Sequence, residues 1–446
     1  GVGQTINHFE TTVGTVSARA TSGGIYLKET NELDVSDVAV TVNRVKDDGT
    51  VPDALRQSDA TQSDVVITSG NGSIVLTTGG SLTLYDGTAA AEGKAINAIS
   101  GNVRLDVTGT LTLESAVDAG SGNVTLYASG LIEQKAAGDI FTTGGTIDVE
   151  STAGAITMND GAVAQTNGGN IRYKASGTVT VGVLDARTSA DRGEAISTDD
   201  KLLDQIKTTG GWGSVSIVST GGSILDNSET TVDVYANELR LTAQAAIGAL
   251  GDGTSNALET EVATVTASAG TGGINLLESS AITIGSVTAV AANRVATTGV
   301  AGSGDQTDVA AQAGVVTTAN SNGSIVVVAG GAMTVSNVII ANGSGNVRLE
   351  TTASTMAINA ALSSGSGHIT VVAKTNLTQL AAGDITTIGA GTIDVEAGGS
   401  IQMTTGAVGA DTAVSGAKDI RYQAKGGNLT VGSFSTGTDA TTGGTV

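Results

Sequence analysis

The sequence predicts an all-β protein: a parallel β-helix, or β-solenoid, with three short strands in each coil of roughly 21–24 residues. Three observations support this prediction. A glycine-led phrase recurs in pairs along the chain, and its apolar residues alternate with polar ones. Aromatic residues make up only 2% of the 446 residues, although 39% are hydrophobic. Many similar layers of small aliphatic side chains suit a stack of coils.

The glycine-led phrase opens two strands of each coil. GSIVL at Gly72 is followed by GSLTL at Gly80, and the step inside such a pair is 8 or 9 residues. Glycine suits the entry to a strand because it allows a positive φ or the close approach of a neighbouring turn. The other pairs begin at Gly101 and Gly109, Gly122 and Gly130, Gly145 and Gly154, Gly169 and Gly177, and Gly213 and Gly222.

A shorter apolar segment between successive pairs predicts the third strand of the coil. These segments are Ala116–Val117, Ile140–Phe141, Val163–Ala164 and Val183–Leu184. Strict alternation points one set of side chains toward the core and the other set outward. We therefore expect Val124 and Ile147 to be buried on their counterparts in the next coil. Thr125 should point outward and tolerate an aspartate.

Two other fold classes fit the composition less well. Disordered chains contain few β-branched residues, whereas this chain is rich in Val, Ile and Thr. An array of immunoglobulin-like sandwiches needs aromatic core residues in each module of about 100 residues. One Trp, three Phe and six Tyr cannot supply several such cores.

A second, longer repeat spans about half of the chain. GNVRL at Gly101 returns at Gly345, and GTIDVE at Gly145 returns at Gly391, with an offset that drifts between 244 and 251 along the chain. We therefore predict a first long repeat over residues 1–249 and a second, incomplete one over 250–446 of the same solenoid. Because the second copy stops in mid-phrase, we expect the array to continue in a longer parent protein.

The nested strand phrases, ANELRLT at Ala236 and the tandem long repeat together resemble the repeat regions of giant bacterial surface proteins. They are similar in style to filamentous-haemagglutinin-type adhesins over nearly the whole chain. The resemblance implies a right-handed β-helix, secreted or on the cell surface of a bacterium. We expect a non-catalytic shaft of a filament, stalk, matrix or surface layer, whose partners are other repeats, end to end. The alternative is an adhesin module that binds glycans or another cell.

Charge, cysteine content and hydropathy argue against nucleic-acid binding, disulfides, thiolate metal sites and a membrane span. The net charge is −22, from 43 acidic and 21 basic residues, whereas nucleic-acid binding needs clustered Lys and Arg. The absence of cysteine excludes disulfides and thiolate metal sites. No apolar run of about 18 residues is present, so we predict no membrane span.

Two polar insertions interrupt the coil rhythm. The first, residues 46–63, contains the only proline, Pro52, and its counterpart at 296–311 lacks the basic residues. The second covers residues 186–207, and its stretch 198–207 predicts a short helix. The apolar face of that helix would comprise Leu202, Leu203 and Ile206. Such a helix could either present a lateral platform to a partner or lie across an adjacent coil.

Carboxylates beside glycine raise the question of calcium. They occur at Asp47-Asp48-Gly49, Asn159-Asp160-Gly161, Asp252-Gly253 and Gly304-Asp305, with Asp308 nearby. Neither the GGxGxD repeat nor an EF-hand loop is present, and Asp-Gly is ordinary turn chemistry. We therefore predict no cofactor and no metal site, with calcium as the alternative.

No pattern in the chain predicts catalysis. Serine-hydrolase, phosphate-loop and dinucleotide motifs are absent. The two histidines, His8 and His368, are replaced in the other long repeat by Ala257 and Asn123. Outward acids recur with the long period instead of converging on one site, as at Glu114, Asp148 and Glu150. We therefore predict a protein that is not an enzyme and has no catalytic residues.

Overall fold

The structure, a computed structural model, describes residues 1–88, 92–192, 211–227, 231–251, 256–302, 306–308, 311–404, 413–416 and 418–436. Within them the chain is almost entirely β, and the one helical element is a 3-10 turn at Asp53–Leu55. Two compact units are present. Unit 1 comprises residues 1–166 and 292–306, and unit 2 comprises 167–291 and 307–446. The predicted long repeats, 1–249 and 250–446, concern sequence similarity and stay a prediction.

Unit 1 is built from short strands that follow the glycine-led phrases. They are β1 (Phe9–Thr11), β2 (Thr15–Val16), β3 (Ala18–Ala20), β4 (Ile25–Glu29), β5 (Leu33–Val35), β6 (Thr41–Val42), β7 (Gln57–Ser58), β8 (Val65–Ile67), β9 (Ile74–Thr78), β10 (Leu82–Leu84), β11 (Lys94–Asn97), β12 (Val103–Val107), β13 (Leu111–Leu113), β14 (Ala116–Asp118), β15 (Val124–Ala128), β16 (Ile132–Gln134), β17 (Ile140–Phe141), β18 (Ile147–Ser151), β19 (Ile156–Met158) and β20 (Val163–Gln165).

These strands form three parallel columns, one strand of each column per coil. The first column runs β1-β4-β9-β12-β15-β18, the second β2-β5-β10-β13-β16-β19 and the third β3-β8-β11-β14-β17-β20. Val103 pairs with Val124, and Val124 pairs with Ile147. The predicted parallel β-solenoid with three strands per coil is confirmed, whereas its right-handedness stays a prediction.

The core of unit 1 is a stack of aliphatic side chains. Val124 and Ile147 are both 0% exposed, as predicted. Burial of each such side chain contributes about 1.5–3 kcal/mol. The glycines at the strand entries are needed for close approach, since a Cβ on Gly122 would lie 2.1 Å from the Gly101 carbonyl oxygen. The sequence offered a positive φ as another reason for glycine at these positions, but neither Gly101 nor Gly122 has a positive φ.

Unit 2 has the same design, with two longer strands of 10 and 12 residues. Its strands, together with two at the unit boundaries, are β21 (Ile171–Ala175), β22 (Val179–Val181), β23 (Val183–Asp185), β24 (Val215–Ser219), β25 (Ile224–Asp226), β26 (Val234–Ala243), β27 (Ala246–Ile247), β28 (Leu258–Ala269), β29 (Gly273–Glu278), β30 (Ile282–Ile284), β31 (Ser286–Val287), β32 (Ala291–Ala292), β33 (Gln306–Thr307), β34 (Gln312–Ala313), β35 (Val315–Thr317), β36 (Ile325–Ala329), β37 (Met333–Val335), β38 (Ile339–Ala341), β39 (Val347–Thr351), β40 (Met356–Ile358), β41 (Leu362–Ser364), β42 (Ile369–Ala373), β43 (Leu377–Gln379), β44 (Ile385–Thr386), β45 (Ile393–Ala397), β46 (Ile401–Met403), β47 (Ala413–Gly416), β48 (Ile420–Ala424), β49 (Leu429–Thr430) and β50 (Ser433–Thr436).

Parallel columns also organise unit 2. One runs β29-β36-β39-β42-β45-β48, beside β30-β37-β40-β43-β46-β49 and β35-β38-β41-β44-β47-β50. The long strands β26 and β28 pair with each other over most of their length. β28 then pairs with β29, β30 and β35 and so connects all three columns.

The two insertions differ in what the structure describes. The first is a hairpin in which β6 and β7 pair antiparallel, with the 3-10 turn directly after Pro52. In the second, residues 193–210 lie outside the described residues, and so does the helix predicted at 198–207. Among the described residues, no helix is long and apolar enough to traverse a lipid bilayer.

Candidate functional site

A cluster of polar side chains in unit 1 lies beneath residues 292–302, which we name the cover segment. The Val295 amide donates to Thr125 Oγ1 at 2.9 Å, and Arg104 Nη1 donates to the Val295 carbonyl oxygen at 2.6 Å. The Asn293 amide donates to Thr146 Oγ1 at 2.8 Å. The cover segment is therefore fixed on the outward faces of β12, β15 and β18.

Arg294 is the charged centre of this cluster. Its Nε lies 2.6 Å from Asp148 Oδ2 and its Nη2 lies 2.5 Å from Glu150 Oε2. Burial of the guanidinium lowers its pKa, but the hydrogen bonds and charges of Asp148 and Glu150 more than offset this, so the pKa of Arg294 is raised. The guanidinium also lies 5.2 Å from the ring centre of Tyr127. Such a paired arrangement holds a segment in place and leaves neither carboxylate as a general base.

Thr125 points outward, as predicted, but its burial argues against the predicted tolerance of an aspartate. Thr125 points away from the core, but it is 0% exposed because the cover segment lies on it. Asp148, predicted as an outward acid, is 0% exposed for the same reason. Thr370, which follows Ile369 in the equivalent strand β42 of unit 2, is half-buried.

A similar arrangement fixes Asp308 within unit 2. Asp308 Oδ1 lies 3.0 Å from Arg172 Nε, and both side chains are at least nine-tenths buried. Ser216 also donates a hydrogen bond to Asp308. Asp308, one of the carboxylates considered for calcium, thus pairs with a guanidinium in this structure.

A third charged cluster borders the second insertion. Asp185 pairs with Arg187 at 3.0 Å and with Arg192 at 2.8 Å. The Arg187 guanidinium stacks 3.7 Å from the ring centre of Tyr235. Desolvation lowers the pKa of Arg192, although Asp185 partly opposes this. The cluster fixes the start of the second insertion in the described part of the chain.

Three carboxylates of unit 2 form a candidate metal centre. Ligand oxygens of Asp226, Asp233 and Glu259 lie within 4.8 Å of one another. Asp233 is 0% exposed and Glu259 is 7% exposed. Oxygen ligands suit a hard cation such as Ca²⁺ or Mg²⁺. Sequence reasoning missed this group because its members come from three separate strand regions and form no loop motif. Acidic groups often lie close together without an ion, so proximity alone assigns no metal.

A buried acid lies at the base of the first insertion. Asp64 is 0% exposed, has a φ of 64°, and accepts a hydrogen bond from the Gly87 amide at 2.9 Å. Desolvation and the nearby charges of Asp86, Glu92 and Asp37 raise the pKa of Asp64 to about 6, although the Gly87 bond opposes this shift. No residue pattern in the sequence indicated this acid.

We expect the Asp64→Asn variant to be more stable than the parent chain at pH 7, by about 1–2 kcal/mol. Because the pKa of Asp64 is raised above its ordinary value of 3.8, the folded state binds the extra proton and loses stability as the pH rises from about 4 to about 6. Asparagine keeps an oxygen for the Gly87 amide. Urea unfolding at pH 4 and pH 7 measures the effect. Asp160→Asn, at an exposed turn, controls for the lost charge, and equal pH profiles of the two variants would contradict the expectation.

The other turn carboxylates considered for calcium behave as turn residues where they are described. Asp48 Oδ1 accepts hydrogen bonds from the Thr50 hydroxyl at 2.6 Å and the Thr50 amide at 2.9 Å, and these bonds lower the pKa of Asp48. Asp160 lies in an exposed turn before Gly161. Residues 252–253 and 304–305 lie outside the described residues.

The two histidines lie apart from these clusters of acids. His8 Nε2 lies 3.0 Å from the Thr297 carbonyl oxygen of the cover segment. His368 Nδ1 lies 2.8 Å from Thr392 Oγ1, and its side chain is exposed. His8 therefore bonds a backbone carbonyl in unit 1, and His368 bonds Thr392 in unit 2.

No protein-family model, curated protein or solved structure matches this chain. The stacked coils, the charged clusters and the long repeat are therefore the features that bear on function. The resemblance to giant surface proteins stays a prediction.

Proposed function

We propose that the chain is a non-catalytic structural shaft of an extracellular bacterial filament, stalk, matrix or surface-layer protein. One observation carries this proposal: within each unit, equivalent apolar residues stack from coil to coil. In unit 1, Ile25, Ile74, Val103, Val124 and Ile147 are in register and all 0% exposed. A stack that repeats its contacts at every level can be lengthened by further coils without changing the existing ones.

The polar clusters support a structural role. The best-defined groups, Arg294 with Asp148 and Arg172 with Asp308, join a segment to the coils beneath it. Such pairs hold segments in position at a site that excludes water. The net charge of −22 keeps neighbouring shafts apart in solution.

The stacking of the coils favours other long repeats, end to end, as the partners. A parallel coil offers its strand edges to a further coil of the same design.

A glycan array probed with the full chain tests the proposal against the adhesin alternative. We expect signals no higher than those of the urea-unfolded chain, because a shaft needs no specific ligand. Saturable binding of one glycan class by the folded chain alone would overturn the structural role and favour the adhesin module.

A further inference from the structure

The first insertion carries a second copy of the turn that forms the cover segment. Asn43-Arg44-Val45 repeats Asn293-Arg294-Val295. The turn that follows also has the same geometry. Its amide-to-carbonyl bonds are Lys46 to Thr50 at 2.9 Å and Gly49 to Lys46 at 3.0 Å, against Ala296 to Val300 at 2.8 Å and Gly299 to Ala296 at 2.8 Å. Gly49 and Gly299 both have a φ of 78°. We name residues 43–50 the free turn.

The free turn differs from the cover segment in its exposure. Residues 43–50 are all exposed, and Val45 is 61% exposed. Its equivalent, Val295, is 0% exposed, and the Arg294 side chain is 18% exposed. The free turn thus presents, on the surface of unit 1, the residues that the cover segment buries.

Unit 2 carries a second copy of the surface beneath the cover segment, which we name the open face. Besides His8, eight residues of unit 1 have polar contacts to the cover segment: Ser73, Asn102, Arg104, Asn123, Thr125, Thr146, Asp148 and Glu150. Their equivalents along the repeated strand phrases are Ser324, Asn346, Arg348, His368, Thr370, Thr392, Asp394 and Glu396. His368 in place of Asn123 is the one change among these eight.

The open face is accessible in the described part of the chain. The Asp394 side chain is 44% exposed, whereas Asp148 is 0% exposed. The Arg348 side chain is 45% exposed, whereas that of Arg104 is 10% exposed. Arg421 pairs with Asp394 at 2.5 Å and with Glu396 at 3.4 Å, and Lys425 also pairs with Glu396. Both cations are about half-exposed, so a further guanidinium would displace them from the two carboxylates.

We propose that the free turn of one long repeat docks on the open face of another copy of this chain, with Arg44 between Asp394 and Glu396. The cover segment on unit 1 is the template for this contact, because the open face keeps seven of the eight contacting residues, with His368 in place of Asn123. Ala257, in place of His8, would not form the bond that His8 makes to the cover segment. Asn43 would meet Thr392, and the Val45 amide would meet Thr370. This docking contact rests on the proposed function in one respect, which is that the partner is another copy of the long repeat.

The test measures binding of one full chain in solution to an immobilised full chain by surface plasmon resonance. The immobilised chain carries Arg44→Glu, and the chain in solution carries Asp394→Asn and Glu396→Gln, so that only one free turn and one open face can meet. We expect saturable binding that weakens at least tenfold when the chain in solution also carries Arg44→Ala, since that change removes a guanidinium from two carboxylates. The matched variant Lys46→Ala loses the same charge, but the equivalent of Lys46 is Ala296, so its affinity should stay unchanged.

Changes on the open face locate the binding. The double variant Asp394→Asn and Glu396→Gln in the immobilised chain should abolish binding, whereas Asp160→Asn, in an exposed turn of unit 1, should leave it unchanged. Absence of saturable binding, equal effects of Arg44→Ala and Lys46→Ala, or full binding to the double variant would overturn the proposal. Circular dichroism confirms that each variant is folded. These outcomes leave the structural role intact, since only glycan binding bears against that role.

Discussion

Replacing Val124 with aspartate should lower the free energy of unfolding by about 3–5 kcal/mol. Val124 is 0% exposed and pairs with Val103 and Ile147 in the adjacent coils. A carboxylate there would lose its hydration among aliphatic side chains, where no described group can replace the water. Urea unfolding followed by circular dichroism measures the change.

Two threonine positions provide the controls for Val124→Asp. Thr370→Asp should change the free energy of unfolding by no more than about 0.5 kcal/mol, because Thr370 points outward and is half-buried. Thr125→Asp should lower the free energy of unfolding by about 1–3 kcal/mol, because the cover segment buries Thr125 although this side chain also points outward. If Val124→Asp and Thr370→Asp were equally tolerated, the assigned strand register would be wrong.

Replacing Arg294 with methionine should lower the free energy of unfolding by about 3–5 kcal/mol. Methionine keeps much of the apolar stem but removes the guanidinium that compensates two buried carboxylates, Asp148 and Glu150. Adding Asp148→Asn and Glu150→Gln to this variant should recover most of the loss, because the carboxylates are then neutral. Urea unfolding of the single and triple variants measures both effects.

An exposed ion pair provides the matched control for Arg294. Arg348 pairs with Glu350 on the open face, and its side chain is 45% exposed. Arg348→Met should therefore cost no more than about 1 kcal/mol. Equal losses from Arg294→Met and Arg348→Met would mean that the cover segment does not bury its ion pairs in solution.

Much of the coil architecture could be predicted from the sequence because its cause is local. The alternation around Val124 predicts which side chains face the core. Gly122 could be predicted to begin a strand. The reason why glycine is needed there could not, because it is the close contact with the Gly101 carbonyl oxygen of the adjacent coil. The third strands at Ala116 and Ile140 followed from short apolar segments between the glycine pairs.

The polar clusters could not be predicted in the same way. Asp226, Asp233 and Glu259 form no motif in the sequence, and their proximity depends on how β25, β26 and β28 meet. The raised pKa of Asp64 depends on burial and on three acids from other loops. Such groups lack a fixed sequence spacing, because loops of different length bring them together.

By itself the sequence determined the all-β class, the three strands per coil and the inward residues, because these follow from the period of two and the repeat of the coil. Only the tertiary structure decided which outward positions are covered. Thr125 and Thr370 follow similar strand phrases, yet Thr125 is buried by Val295, 170 residues away along the chain. The physical reason is that strand periodicity repeats in every coil, whereas the cover segment makes its contacts once, in unit 1.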